Sequence, residues 1–160
     1  MSIIAPGTPL PDDLRFETYD GEGVTTEDLK GSTTVLVFYP FAFSPVCTDQ
    51  LQVYEELLDE IKARDAKVYG VSTDAVHAQQ AFKEKLGITI EQLSDFEPKG
   101  RNAKELGAYF DPAGMTNRAL VVADAEGIVR WSYLAENPGV LPGVDRVFEG
   151  LDAVDAAKGA

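Results

Sequence analysis

The chain has 160 residues, 44% of them apolar and 26% charged, with a mean hydropathy of −0.13. That is enough chain for one globular domain spanning residues 1–160, and the balance excludes disordered, collagen-like and membrane classes. Twenty-seven Asp and Glu against fourteen Lys and Arg leave a formal net charge of −13. Such a surface repels phosphate backbones and anionic lipid at long range, so neither nucleic acid nor membrane is an expected partner.

One cysteine and one histidine exclude an intrachain disulfide and any Cys/His zinc cluster, which needs three or four N or S ligands. The opening MSIIAPGTPLPDD has neither the basic segment nor the apolar run of a secretory signal, and with the lone thiol it points to a cytoplasmic protein. The stretch Val35 to Phe43 includes Pro40 and falls far short of the about 18 apolar residues that suggest a membrane span. The acid excess also resembles the proteins of salt-loving microbes.

In chain order, Leu14 to Tyr19 and Val24 to Thr25 flank the turn-rich Asp20-Gly21-Glu22-Gly23, which predicts a hairpin. Thr26 then caps a short turn ending at Gly31. Thr34 to Tyr39 is a continuous apolar β-run, the pattern of a central strand covered on both faces. Pro40 ends it, and Phe41, Ala42 and Phe43 lead to Ser44-Pro45, with Ser as helix N-cap and Pro at the first helical position. Leu51, Tyr54, Leu58 and Ile61 form the buried stripe of that helix, leaving Glu55, Glu56, Asp59 and Lys62 to water.

A second buried strand, Val68 to Val71, precedes Asp74 as a cap and a helix through Phe82 to Leu86 that stops at Gly87. An apolar patch at Ile88 to Leu93 and a small helix at Ala103 to Leu106 follow, ended by Gly107. Ala119 to Ala123 and Ile128 to Tyr133 read as strands joined across Asp124-Ala125-Glu126-Gly127. The last helix sets Val144, Val147, Phe148, Leu151 and Val154 on one side. The predicted class is α/β: a thioredoxin-like fold with a central mixed sheet flanked by helices and an N-terminal β-hairpin extension.

Cys47 is the strong nucleophile candidate. With Ser44 as N-cap and Pro45 at N1, the cysteine falls at N3, where free backbone N–H groups and the helix dipole favour a thiolate. A lone cysteine without context is a small buried hydrophobe. Here the context is Pro40-Phe41-Ala42-Phe43-Ser44-Pro45-Val46-Cys47 between a buried strand and a helix, which resembles the peroxiredoxin signature of Pro, three residues, Thr or Ser, two residues, then Cys. Gly70-Val71-Ser72-Thr73-Asp74, Leu93-Ser94-Asp95 and Arg118 through Gly127 resemble later blocks of that family in order and spacing. The pattern is similar to the one-Cys members of the AhpC/TSA family in the bacterioferritin comigratory and alkyl hydroperoxide reductase E branches.

The resemblance implies a thiol peroxidase acting on hydrogen peroxide and small organic hydroperoxides, with Cys47, Arg118, Ser44 and Pro40 as its catalytic set. An ordinary thiol of pKa ~8.5 is ~3% ionised at pH 7, and lowering the pKa to ~6 raises the thiolate about 30-fold. Nucleophilicity falls about tenfold over the same interval, so acidity alone leaves a gain of only a few-fold. The rest must come from donors that align the peroxide and stabilise its leaving oxygen. By the resemblance, the Ser44 hydroxyl and the N–H groups of Val46 and Cys47 contact the peroxide, Arg118 pairs with thiolate and oxyanion, and Pro40 excludes water. Ser44 stands where most relatives carry Thr, and Gln50 where many carry a Glu that anchors the arginine.

A resolving cysteine found five residues on in some relatives is Gln52 here, which implies a one-Cys cycle with a sulfenic acid recycled by an external thiol, either a thioredoxin-like protein or a small thiol. No cofactor or metal is implied, and no G-x-G-x-x-G or P-loop is present. A homodimer or higher homo-oligomer is the family expectation. Arg101 and Arg130 have weaker claims on the site, and His77 lies on a polar helix as a solvated residue. Phe41 and Phe43 fit a peroxide pocket, a dimer contact or core packing. The alternative function is a non-catalytic thioredoxin-like redox sensor or holdase, which needs the cysteine but not the full set.

Overall fold

The apolar run after Gly31 becomes the middle strand of a five-stranded sheet. The computed structural model describes residues 2–158, with the backbone but not the side chains of residues 45–49. A short hairpin of β1 (Arg15–Phe16) and β2 (Val24–Thr25) comes first, with Phe16 opposite Val24. The sheet is built from β3 (Thr33–Phe38), β4 (Ala66–Ser72) and β5 (Glu91–Ser94), all parallel, then β8 (Ala119–Ala123) and β9 (Val129–Leu134), in the order β5-β4-β3-β8-β9. β8 runs antiparallel to both β3 and β9. Between β5 and β8 sits a small hairpin, β6 (Tyr109–Phe110) with β7 (Met115–Thr116).

Among the described residues five α-helices cover the sheet: α1 (Pro45–Glu56) and α2 (Leu58–Ala63) between β3 and β4, α3 (Val76–Leu86), α4 (Arg101–Leu106) and α5 (Asp145–Lys158). Strand alternation accounts for the unbroken apolar run. Val35, Val37 and Tyr39 face one core with Leu51, Tyr54, Leu58, Ile61, Phe82, Val147 and Leu151, whereas Leu36 and Phe38 face a second core with Leu14, Phe16, Leu93 and Leu106. Helix α5 lies close enough to the sheet that a Cβ at Gly150 would stand 2.5 Å from Val122 Cγ2, so a glycine is needed there. Among the described residues no helix is long and apolar enough to cross a membrane.

Three expectations need correction. The helix after Ser44 is two helices, broken at Leu57 with φ −103° and ψ 8°. The stripe Leu51, Tyr54, Leu58 and Ile61 is buried on both sides of the break, so its periodicity does not reveal it. Asp74 does not cap α3, whose N-cap is Ala75; its carboxylate is taken by the Ala42 amide and the Ser72 hydroxyl, each at 2.8 Å. Glu55 does not simply face water either, because it accepts from the amides of Thr89 and Ile90 at 2.9 and 3.1 Å and ties α1 to the segment entering β5. The two-residue strands β6 and β7 are too short to leave a periodic signal.

Candidate active site

Parallel strands β3, β4 and β5 end at the same edge of the sheet, and antiparallel β8 begins there. This is the edge where open α/β sheets bind ligands. Tyr39 continues β3, its amide donating to Val71 O at 3.0 Å, and the next residue, Pro40, is buried. The Thr116 hydroxyl donates to the Tyr39 carbonyl, clamping the backbone immediately before Pro40. Phe41 to Phe43 then form the turn into α1. Phe43 is left-handed at φ 68°, is 54% exposed and packs edge-on against Phe82 at 5.3 Å between ring centroids. Ser44 is the N-cap with φ −72° and ψ 145°, and Pro45 follows in the first turn. The backbone of Cys47 is in the first turn of α1, as the spacing predicts. Its thiol lies outside the described residues.

The turn is held from below. Asp74 accepts from the Ala42 amide and the Ser72 hydroxyl, and buried Gln79 donates to Ser72 Oγ at 2.9 Å and to the Leu93 carbonyl at 2.9 Å. Asp95 ends β5 beside this layer and accepts from the amides of Asn102 and Ala103 at 3.1 and 2.8 Å. Burial pushes its carboxyl upward, and the Ala103 and Asn102 amides pull against that shift. The Ser72-Thr73-Asp74 and Ser94-Asp95 segments therefore support the site edge as scaffold.

Arg118 reaches the same edge from the start of β8. It is among the largest fully buried side chains, at 2% exposure. Its Nη1 donates to Gln50 Oε1 at 2.7 Å and its Nε to the Pro138 carbonyl at 2.6 Å. The Arg118 amide donates to Asn117 Oδ1 at 2.8 Å, while Asn117 Nδ2 donates to the Ala135 carbonyl at 2.9 Å. Gln50 lies three residues after Cys47 along the α1 backbone, about one helical turn on. The structure thus brings Arg118 to the helix that carries the cysteine, and a neutral Gln serves as its anchor.

Gln50 Nε2 donates to the Tyr54 hydroxyl at 3.3 Å, and that hydroxyl donates to the Pro142 carbonyl at 3.0 Å. Burial pushes the Tyr54 phenol up to about 12, opposed by the Gln50 hydrogen bond and the Arg118 charge. Arg101 and Arg130 are elsewhere, paired with Asp13 at 3.0 Å and Asp124 at 2.8 Å. His77 is exposed on α3, with the Tyr19 ring edge-on at 5.8 Å between centroids. Among the described residues no three His, Asp or Glu gather in a metal-holding group. A groove of about 380 Å³ lined by Ser32, Lys67, Thr89 and Glu91 opens at the opposite edge of the sheet.

Sequence reasoning missed Tyr54, Asn117, Thr116 and the true role of Asp74. Tyr54 did leave a trace, since a phenol on an otherwise aliphatic stripe needs a polar partner when buried.

Residues 6–132 match the model of the AhpC/TSA family. The chain belongs to that family of peroxiredoxins. It is 31% identical over 134 residues to alkyl hydroperoxide reductase E of Mycobacterium tuberculosis (strain ATCC 25618 / H37Rv), covering 83% of this chain and 86% of that protein. It is also 32% identical over 125 residues to the chloroplastic peroxiredoxin Q of Suaeda salsa, covering 78% and 58% of the two chains. Among solved structures, Enterococcus faecalis AhpC superposes with a TM-score of 0.86 at 27% identity, over 99% of this chain and 95% of that one. The thioredoxin-like α/β class, the mixed sheet and the N-terminal hairpin all agree with that likeness.

Proposed function

We infer that this peroxiredoxin is a thiol-dependent peroxidase whose chemistry runs through Cys47, Arg118, Ser44 and Pro40. The observation that carries the reading is the buried Arg118 guanidinium, held 2.7 Å from Gln50 one turn beyond Cys47 on a helix that Ser44 begins. The Cys47 thiolate attacks the distal oxygen of hydrogen peroxide or a small hydroperoxide. An S–O bond forms as the O–O bond breaks, sulfur gives up an electron pair, and the departing oxygen takes a proton to leave as water or alcohol. The Ser44 hydroxyl and the amides of Val46 and Cys47 align the peroxide. Arg118 stabilises the charge that builds on the leaving oxygen, and Pro40 keeps water off sulfur.

The product is Cys47 sulfenic acid. An external thiol condenses with it, releasing water and leaving a mixed disulfide; a second thiol then frees Cys47 and departs as the oxidised reductant. Excess peroxide carries the sulfenic acid on to sulfinic acid. Rapid mixing of reduced protein with hydrogen peroxide, followed by thiol loss, tests the reading. The native protein should outpace free cysteine by orders of magnitude, and Cys47→Ser should abolish the reaction. A native rate no faster than free cysteine would favour a redox sensor or holdase.

The finer partners are a thioredoxin-like protein or small thiol as reductant and a second copy of the chain. Phe41 at 38% exposure, Phe43 and Phe96 at 49% support self-association into a homodimer or larger homo-oligomer. Sedimentation at several salt concentrations tests this, and a monomer throughout would refute it. The cytoplasm is the proposed compartment, supported by the single thiol.

A further inference from the structure

A carboxamide has two chemically different ends, and only one of them suits a guanidinium. Arg118 can only donate, so the end of Gln50 facing it must be the oxygen. The amide's NH₂ end then points the other way and requires an acceptor in a fully buried place, since Gln50 and Tyr54 are each 1% exposed. Tyr54 Oη is that acceptor, at 3.3 Å. Because the phenol accepts from Gln50, its own proton goes to the Pro142 carbonyl at 3.0 Å. The relay from Arg118 through Gln50 and Tyr54 to Pro142 thereby has one direction of donation at each of its hydrogen bonds.

Without the phenol oxygen, two arrangements of Gln50 compete. One leaves a buried NH₂ without an acceptor; the other turns that NH₂ toward a guanidinium that has no lone pair to offer. The segment between β9 and α5 is held at two points by the same relay, through Pro138 on Arg118 Nε and Pro142 on Tyr54. We propose that Tyr54 is a positioning residue of the peroxidase site: its hydroxyl sets the orientation of the Gln50 amide and so the seat of the Arg118 guanidinium. This rests on the role given to Arg118 under the peroxidase reading.

The test is a double-variant cycle on the rate constant for hydrogen peroxide. Tyr54→Phe keeps the ring and should lower the rate about tenfold. The deficit should shrink to about twofold or less in a Gln50→Glu background, because a carboxylate presents an oxygen to Arg118 whichever way it turns. A merely structural role would give the same deficit in both backgrounds, and that result would overturn the proposal, as would a Tyr54→Phe rate within twofold of native. Thermal melts identify any variant that fails to fold. Should Gln50→Glu fail, the side-chain N–H resonance of Arg118 Nε in ¹⁵N spectra gives a second readout: Tyr54→Phe should displace it, and an unmoved signal would overturn the inference. A native protein no faster than free cysteine would instead sink the peroxidase reading itself.

Discussion

An arginine site stands at each end of strand β8, and the two are built in opposite ways. At the far end, Arg130 Nε meets Asp124 Oδ2 at 2.8 Å, and Asp124 also gathers the amides of Glu126 and Ile128 at 2.9 and 3.0 Å. That cluster uses the arginine's charge to close a turn. At the near end, two of the Arg118 acceptors, Gln50 Oε1 and the Pro138 carbonyl, are neutral. Together they fix the plane of the guanidinium. A buried cation costs several kcal/mol in desolvation, on the order expected for an ion removed from water, and a fold chasing stability alone gains nothing from placing it there. Under the proposed peroxidase reading, that cost is met because the guanidinium acts on the charge that develops on the leaving oxygen.

The largest expected effect breaks the near end. Arg118→Ala should lower the rate constant for hydrogen peroxide by about 10²–10³-fold, the cost of removing one preorganised donor from a developing oxyanion. Arg118→Lys keeps the charge but loses the fork that reaches Gln50 and Pro138 together, so most of the deficit should remain. Recovery of the native rate in Arg118→Lys would show that charge alone suffices and that the fork held by Gln50 and Pro138 is irrelevant. Stopped-flow thiol loss at matched pH measures both.

How far the site was readable follows from which contacts are local. Cys47, Ser44 and Pro45 fall within one turn, so capping chemistry places them without a fold. Arg118 carries no local physical signal and is legible only through its block resemblance, because its partners Gln50 and Pro138 are distant or lie in an irregular segment. The strands were legible where both faces are buried, as in β3, since a short continuous apolar run rich in β-branched residues suits a strand covered on two sides. Asp74 is ambiguous in sequence because Asp before a helix suits an N-cap equally well, and only tertiary contact shows Ala42 drawing the carboxylate away. Tyr54 was read correctly as core, yet no periodicity argument sees where its hydroxyl points.

A smaller effect breaks the far end. Burial pushes the Asp124 carboxyl up, but the Ile128 amide, Arg130 and the Glu126 amide outweigh it and hold the group below the usual carboxylate range. A lowered folded-state value means stability that is present above the unfolded value of 3.8 and is lost as pH falls through the folded one. Asp124→Asn should therefore cost about 1–2 kcal/mol at neutral pH, a drop in Tm of about 3–6 °C, with the peroxide rate within about twofold of native. The gap between variant and native should close as pH falls below the folded value, where the native carboxyl is itself neutral. A gap constant with pH would assign the loss to turn geometry, and a large loss of activity would mean that the two ends of β8 are not separable.

The smallest effect sharpens the comparison by moving an arginine pair to the surface. Arg64 Nη2 sits 2.8 Å from Asp152 and 2.6 Å from Asp155, joining the end of α2 to α5, and hydrogen bonds to Asp155 and then Asp152 raise its already high value. Those carboxylates are 73% and 59% exposed, so water and salt screen most of the attraction. Arg64→Gln should cost about 0.2–1 kcal/mol at low salt and nearly nothing at about 1 M, read as a Tm difference that fades along a salt series. The charge of −13 adds a reason to run that series on the native protein as well, since salt that weakens the Arg64 pair also relieves the repulsion among the acidic groups. If the native Tm rises with salt while the Arg64→Gln difference shrinks, surface charge acts on this molecule chiefly as a collective field. A salt-independent Arg64→Gln cost would instead place that pair with the buried sites at the ends of β8.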